Sequence, residues 1–223
     1  MNTNIIIILP AYNQEKNIAG LIQEVKKYVS KVIVVTDGST DRTAEVATKL
    51  GVIVPEPINK RGKGNAVTRG IELSKSLEPN IVVFMDSDGQ HNPKEIPKLI
   101  KPLLEEDYDM VIGSRFLGSI KTSGVNKLGN HLLNLLHFLI TFRWVTDTES
   151  GFRAFKANKL YSLDIKAPHY ELESDVLLEA IKKKLKIKEV PITIVKKEKG
   201  ITLLDGFRIA KFSIGKGLKD ILK

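Results

Sequence analysis

Short, unbroken apolar runs alternate along the chain with longer stretches in which apolar residues recur every three or four positions. The runs at 5–9, 31–35 and 81–85 lack the polar alternation of a half-exposed strand, so they predict strands covered on both faces. Between the first two, Ile18, Leu21, Ile22, Val25 and Val29 predict a helix over 14–29, with Asn13 as its N-cap. Further helices are predicted over 40–50, 65–76, 93–104 and 172–181, and further strands over 52–54, 110–112 and 187–195, the last interrupted by Pro191. Pro93 suits a first helical turn and Pro97 is tolerable there, whereas Pro102 is expected to end or kink its helix. This alternation predicts right-handed βαβ units and an α/β fold: a mostly parallel sheet with helices on both faces.

Two segments depart from that pattern. Over 127–145, Leu128, Leu132, Leu135, Leu136 and Leu139 share one helical face, widened by Leu133, Phe138, Ile140 and Phe142. The stretch is too short and too interrupted to span a bilayer. It is either a core helix or an interfacial one that dips into lipid. The tail, 205–223, puts Phe207, Ala210, Ile214, Leu218 and Ile221 on one face, with Arg208, Lys211, Lys219 and Lys223 beside it. Such a basic amphipathic element suits an anionic membrane surface. Gly215 and Gly217 weaken it as a helix, so a partly ordered tail packed on the body is the alternative. The expected division is one domain over 1–204 and the amphipathic tail over 205–223.

Composition narrows the partners. The formal net charge of +9 favours anionic ones: nucleic acid, a membrane surface or phosphorylated substrates. Nucleic acid lacks support, because aromatic residues are only 6% and no recognition motif lies among the basic residues. The run Lys182-Lys183-Lys184 reads equally well as a solvated surface. The absence of cysteine excludes disulfides and thiolate metal sites and fits a reducing compartment. Met1-Asn2-Thr3-Asn4 leads straight into the first apolar run, without a basic region or a cleavage motif, so no signal peptide is expected. A cytoplasmic protein peripherally associated with the membrane is the resulting expectation.

The candidate chemistry begins where the 81–85 run meets Asp86-Ser87-Asp88-Gly89. In open parallel sheets the ligand sits beyond the carboxyl ends of the strands. Two carboxylates one residue apart at such an end repel each other unless a cation compensates them, and hard oxygen ligands favour Mg²⁺ or Mn²⁺. Mg²⁺ usually completes its coordination with substrate phosphates, so a phosphorylated ligand is implied. The plain alternative is a polar turn. Tyr12 to Glu15 and Asp37 follow other predicted strands and reach the same edge, which favours a site.

Six motifs occur in order: Pro10-Ala11-Tyr12-Asn13-Gln14-Glu15, Val35 to Thr43, Lys60-Arg61-Gly62-Lys63-Gly64-Asn65-Ala66, Asp86 to Pro93, Gly113-Ser114-Arg115 and Ser150 to Phe155. Together they resemble the family-2 glycosyltransferases, specifically the dolichyl-phosphate mannose synthase-like branch, from Ile5 to about Lys219. The resemblance implies a GT-A fold with a nucleotide-binding first half. It implies Pro10, Ala11, Tyr12 and Glu15 at the nucleoside, Asp37 at the base, and Asp86 with Ser87 toward the ribose or the metal. Asp88 and Gln90 match the positions that ligate Mg²⁺ or Mn²⁺, and Lys63 supports the phosphates. Lys197 lies in a segment standing where the family has a loop that closes over the diphosphate. Arg115 matches the acceptor-phosphate arginine, with Lys127 and His131 nearby; a lysine at 127 supplies a point charge rather than a fork. Arg153 either touches substrate or pairs with a carboxylate such as Asp147.

The implied activity is inverting transfer of a sugar from a GDP- or UDP-linked donor to a polyprenyl phosphate at a membrane surface, alone or beside a membrane subunit. A phosphate acceptor is already ionised at neutral pH and needs positioning rather than a base. The rival is a soluble glycosyltransferase acting on a sugar hydroxyl, which requires a carboxylate base; Glu171, Glu173 and Asp175 are the candidates. A non-catalytic nucleotide-sugar-binding partner is disfavoured by the joint presence of Asp86, Asp88, Gln90 and Arg115.

Overall fold

The strands β1 (Ile5–Pro10), β2 (Lys31–Val35), β3 (Ile81–Phe84), β4 (Met110–Ser114), β5 (Arg153–Lys156) and β6 (Ile187–Pro191) form one sheet in the computed structural model. The structure describes residues 3–56, 62–118, 124–195 and 203–221, without the side chains of 124–128, 203 and 218–221. Sheet order is β2-β1-β3-β5-β4-β6, and β5 runs against both of its neighbours while the other five strands share one direction.

The apolar runs act as read. Ile6, Ile7, Ile8 and Leu9 of β1 are all fully buried. Ile7 and Leu9 point to one face, covered by α1 (Ile18–Val25) and α4 (Ile96–Glu105). Ile6 and Ile8 point to the other, covered by α3 (Lys63–Lys75) and α7 (Leu172–Lys182). A strand enclosed on both sides has no solvent face to keep polar.

Several local expectations are corrected. Asn13 adopts φ +52° in a loop braced by Thr40, and the helix begins only at Ile18. The predicted strand at 52–54 is a single bridge between Ile33 and Ile53. After a 3₁₀ turn at Pro93–Glu95, α4 runs through Pro102 and stops three residues later at Glu105, within a turn of the proline. The run 187–195 ends as a strand at Pro191, and Ile194 forms an isolated bridge with His91. The short strand β5 is not among the predicted strands.

The helix α5 (Gly124–Thr141) packs with α8 (Leu203–Ile221), which also rests on α7. Its amphipathicity is inverted. Asn130, Asn134 and His137 are buried, whereas Leu132, Leu135 and Leu139 are 46–61% exposed. Two of the inward polar residues have partners for their side chains: Asn134 donates to the Thr146 carbonyl and accepts from the Thr148 amide and hydroxyl, and His137 Nε2 meets Ser174 Oγ. The α8 helix is continuous through both glycines. At Gly217 a Cβ would stand 2.6 Å from Ile140 Cγ2, so its absence allows α5 and α8 to approach closely. Close contact there offsets glycine's helix penalty of about 1 kcal/mol. Among the described residues, no helix is long and apolar enough to cross a membrane.

Candidate active site

The ends of β1, β2 and β3 open onto a cleft of about 530 Å³, the size of an ordinary small-ligand site. Pro10, Ala11, Asp37, Lys63, Asp86, Ser87 and Asp88 all line it. Tyr12 and Tyr170 stand at its rim, each more than half exposed, with ring surface available to a planar ligand. Asp37 is held deep in the cleft by Arg69, whose Nη1 lies 2.6 Å from Oδ1. Ser87 Oγ donates to the Pro10 carbonyl at 2.6 Å and so ties the turn after β3 to the end of β1. Glu15 is elsewhere: it accepts from the Arg42 amide and braces the loop before α2 (Thr43–Lys49), while Gln14 lines the cleft instead.

Lys63 opens α3 between two close-packed glycines. A Cβ at Gly62 or Gly64 would fall 2.2 Å from the Pro168 carbonyl oxygen or 1.9 Å from that of Ala167. Residues 167–169 therefore lie directly on the glycine loop, and the Asn65 amide donates to the Pro168 carbonyl at 3.1 Å. The Lys63 ammonium bridges Asp86 Oδ1 and Glu173 Oε1 at 2.6 Å each. Burial opposes the charged form of Asp86, but Lys63 and then His91 outweigh it and hold the carboxyl far below the usual range. The same two carboxylates hold the Lys63 ammonium protonated well above its usual range, against the pull of burial.

Asp88 behaves oppositely. Burial, then the neighbouring Asp86 charge, pushes its carboxyl up, and one oxygen accepts from the Gln90 amide at 3.0 Å. Among the described residues Asp88 has no ion-pair partner, and no cluster of three or more acidic or histidine side chains encloses an ion unaided. One available carboxylate on an open cleft fits a hard divalent cation whose other positions are filled by phosphate oxygens and water. Asp86 is already committed to Lys63.

Arg115 follows β4 as a buried fork on Asp147, with Nε to Oδ2 and Nη2 to Oδ1 both 2.7 Å. Phe116 beside it packs its ring against His131 of α5 at 5.4 Å between centroids. Arg153 is fully buried, and its guanidinium donates to the carbonyls of Ser150, Glu173 and Thr148. It thus acts as a strut between β5 and α7, and the Asp147 pairing falls to Arg115 instead. Of the three candidate bases only Glu173 faces Lys63 and Asp86. Asp175 is buried under α8, and Glu171 sits at the start of α7. The side chain of Lys127 and the whole of Lys197 lie outside the described residues.

Behind Glu173 runs a polar chain that the sequence did not reveal. Ser174 Oγ donates to Glu149 Oε1 at 2.7 Å and meets His137 Nε2 at 2.8 Å. Burial, then the Glu173 charge, pushes Glu149 up to about 7; burial, then Arg153, brings His137 down to about 4. Arg69, His169 and Tyr170 also went unread, since none carries a motif and tertiary packing alone brings them to the cleft.

The model of the family described as Glycosyl transferase family 2 matches residues 6–164. An uncharacterized protein of Methanocaldococcus jannaschii is 40% identical over 92% of this chain and 88% of its own length. The UDP-N-acetylglucosamine–dolichyl-phosphate N-acetylglucosaminyltransferase of Methanococcus voltae is 33% identical over 92% of each chain. Among solved structures, glucosyl-3-phosphoglycerate synthase from Mycobacterium tuberculosis, in complex with Mn²⁺, UDP and phosphoglyceric acid, superposes with a TM-score of 0.74. It is 26% identical, over 98% of this chain and 78% of that one. The carboxylate-edged cleft at the strand ends, the reversed β5 and these likenesses agree: the chain is a glycosyltransferase of the GT-A fold and belongs to glycosyl transferase family 2.

Proposed function

We propose that this chain transfers a hexose from a UDP- or GDP-linked sugar to a polyprenyl phosphate at a membrane surface, with inversion and with a divalent cation. The observation that carries the reading is the outward apolar face of α5 and α8, which begins beside the acceptor-side residues. Leu135 and Leu139 of α5, Phe142 and Trp144 just after it, and Phe207 and Ile214 of α8 are all exposed, with Arg208 and Lys211 exposed on α8 to meet anionic headgroups. The Phe116–His131 contact links that face to Arg115. The tail over 205–223 is in this reading the attaching element, and the protein is peripheral. The dolichyl-phosphate acceptor named for the Methanococcus voltae relative supports the same choice.

In the reaction, the cleft between Tyr12 and Tyr170 takes the nucleoside, with Asp37 at the base. Lys63 places positive charge where the diphosphate leaves, worth most in a site shielded from water. Asp88 with Gln90 would hold Mg²⁺ or Mn²⁺, which would supply charge neutralisation at the departing diphosphate, while Asp86 keeps Lys63 in place there. Arg115, with Lys127 and His131, orients the acceptor phosphate, which attacks unaided by a base. Arg153 positions Glu173 and the loop after Thr148 rather than touching substrate.

The test is transfer from UDP-N-acetylglucosamine, UDP-glucose and GDP-mannose, with Mn²⁺ or Mg²⁺, to polyprenyl phosphate in detergent and in parallel to phosphoglyceric acid. Lipid-linked product from one donor, dependent on the cation, is expected. Transfer to the hydroxyl of phosphoglyceric acid alone would replace this reading with the second one, a soluble transferase using Glu173 as base. Glu173, which lies in the first turn of α7 beside Asp86 and Lys63, is the base in that second reading, and Glu173→Gln would then remove turnover while leaving donor binding intact.

A further inference from the structure

Two buried carboxylates and a partly buried lysine connect α8 to the wall of the cleft. Asp175 of α7 is wholly buried, and its Oδ2 accepts the amides of Lys166 and Ala167 at 2.6 and 2.8 Å. Glu179, one turn on and 3% exposed, accepts the Asp164 amide at 3.3 Å. Those bonds fix the segment 164–167, whose continuation rests on Gly62 and Gly64 and brings His169 and Tyr170 into the cleft. Both acids are ion-paired to one cation supplied from another helix: Lys216 of α8 contacts Asp175 and lies 2.8 Å from Glu179. Two adjacent buried carboxylates without that ammonium would repel, and desolvation would favour their reorienting toward water. The amides they hold would be released with them.

We propose that Lys216 is a positioning residue for the nucleotide pocket: from α8 it fixes, through Asp175 and Glu179, the 164–170 segment that walls the cleft. The inference rests on the reading of that cleft as the nucleotide site. It makes α8 more than an attachment element, because the helix carrying the outward apolar face also sets the geometry in which the donor is bound. The gap between Lys216 and the cleft is bridged by contacts that each involve a named donor and acceptor, so the effect has a physical route.

The experiment uses the full chain and measures UDP and GDP binding by calorimetry with Mn²⁺, together with amide hydrogen exchange. Lys216→Gln should weaken binding of the preferred nucleotide about fivefold, speed exchange at 164–170, and lower the thermal midpoint without unfolding the chain at 25 °C. Lys216→Arg, which keeps the cation, should restore both readouts. Unchanged nucleotide affinity in a folded Lys216→Gln protein overturns the proposal. If that variant does not fold, the Lys216→Gln/Glu179→Gln protein replaces it, because it carries the same net buried charge as wild type. Weakened binding there supports the positioning role, and wild-type affinity overturns it. A wild-type chain that binds neither nucleotide instead removes the reading of the cleft, a separate failure seen before any variant is made.

Discussion

The ammonium of Lys63 lies 2.6 Å from the carboxylate of Glu173, joining the first turn of α3 to the first turn of α7 across the floor of the cleft. The same nitrogen holds Asp86, so one cation keeps two partly or fully buried acids in place. Lys63→Met should therefore cost about 3 kcal/mol of stability and weaken nucleotide-diphosphate binding more than tenfold. Urea denaturation and calorimetric titration with UDP measure the two effects. A variant of wild-type stability would mean that the ion pairs are not held in solution.

Asp88 separates from Asp86 in the same assay. Its carboxyl is raised by burial and by Asp86, so removing it relieves repulsion rather than breaking a pair. Asp88→Ala should keep or slightly raise the thermal midpoint while cutting cation-dependent transfer by at least about a hundredfold. Turnover titrated with Mn²⁺ reads this directly, and retained turnover at saturating Mn²⁺ contradicts the assignment.

The Arg115 fork on Asp147 tests geometry rather than charge. Arg115→Lys preserves the cation but loses one of the two parallel bonds, at a cost of about 2 kcal/mol. The acceptor KM should rise while the donor KM holds. A change confined to the donor would place Arg115 on the other side of the reaction.

Glu149 and His137 make opposing contributions to the pH dependence of stability. Glu149, raised from 4.5 to about 7 chiefly by burial and then by Glu173, favours folding below its unfolded value and loses that contribution as pH rises toward 7. His137, lowered from 6.5 to about 4 by burial and then by Arg153, contributes fully above 6.5 and loses it as pH falls toward 4. Each contribution is on the order of 3 kcal/mol, and between pH 4.5 and 6.5 they nearly cancel. Glu149→Gln should expose the histidine alone, giving stability that rises from pH 5 to pH 6.5 in urea denaturation. A flat or falling profile would show that His137 is charged in the folded state.

The apolar face predicts lipid binding that can be removed without disturbing the fold. Because Ile209 and Ser213 of α8 are buried, removing the tail would open the core, so outward positions make the cleaner probe. Leu139→Ser, Phe142→Ser and Phe207→Ser together should abolish co-sedimentation with vesicles containing anionic phospholipid. The thermal midpoint should move by only a few degrees, as expected for exposed sites. Equal sedimentation of variant and wild type would send the search for the membrane contact elsewhere.

What the sequence disclosed follows from how each feature is written in it. The strands β1, β2 and β3 are legible because a doubly covered strand must be apolar at every position, and the turns after them are legible because carboxylates at strand ends are costly. The direction of α5 was not legible: its leucines form the stripe that usually faces a core, but Asn134 binds Thr146 and Thr148, His137 meets Ser174 of α7, and with Asn130 they make the buried face. Nor was the network behind Glu173, because Glu149 and Ser174 meet only after β5 has entered the sheet. Arg153 was legible as important but not as a strut, since a motif records the residue and not what its guanidinium touches.

The reversed strand also sets an order of assembly. β3 and β4 are consecutive in the chain yet never pair, because β5 fills the place between them. A nascent chain that has emerged only through β4 thus leaves the inner edge of β3 and both edges of β4 open, each able to recruit another strand. The gap between β3 and β4 closes when Arg153–Lys156 arrives, and Arg153 at the first position of that strand then docks on α7 through Glu173. Synthesis must therefore pass the wedge before the pocket has a floor, which makes the interval between β4 and β5 the period of greatest exposure to misassembly.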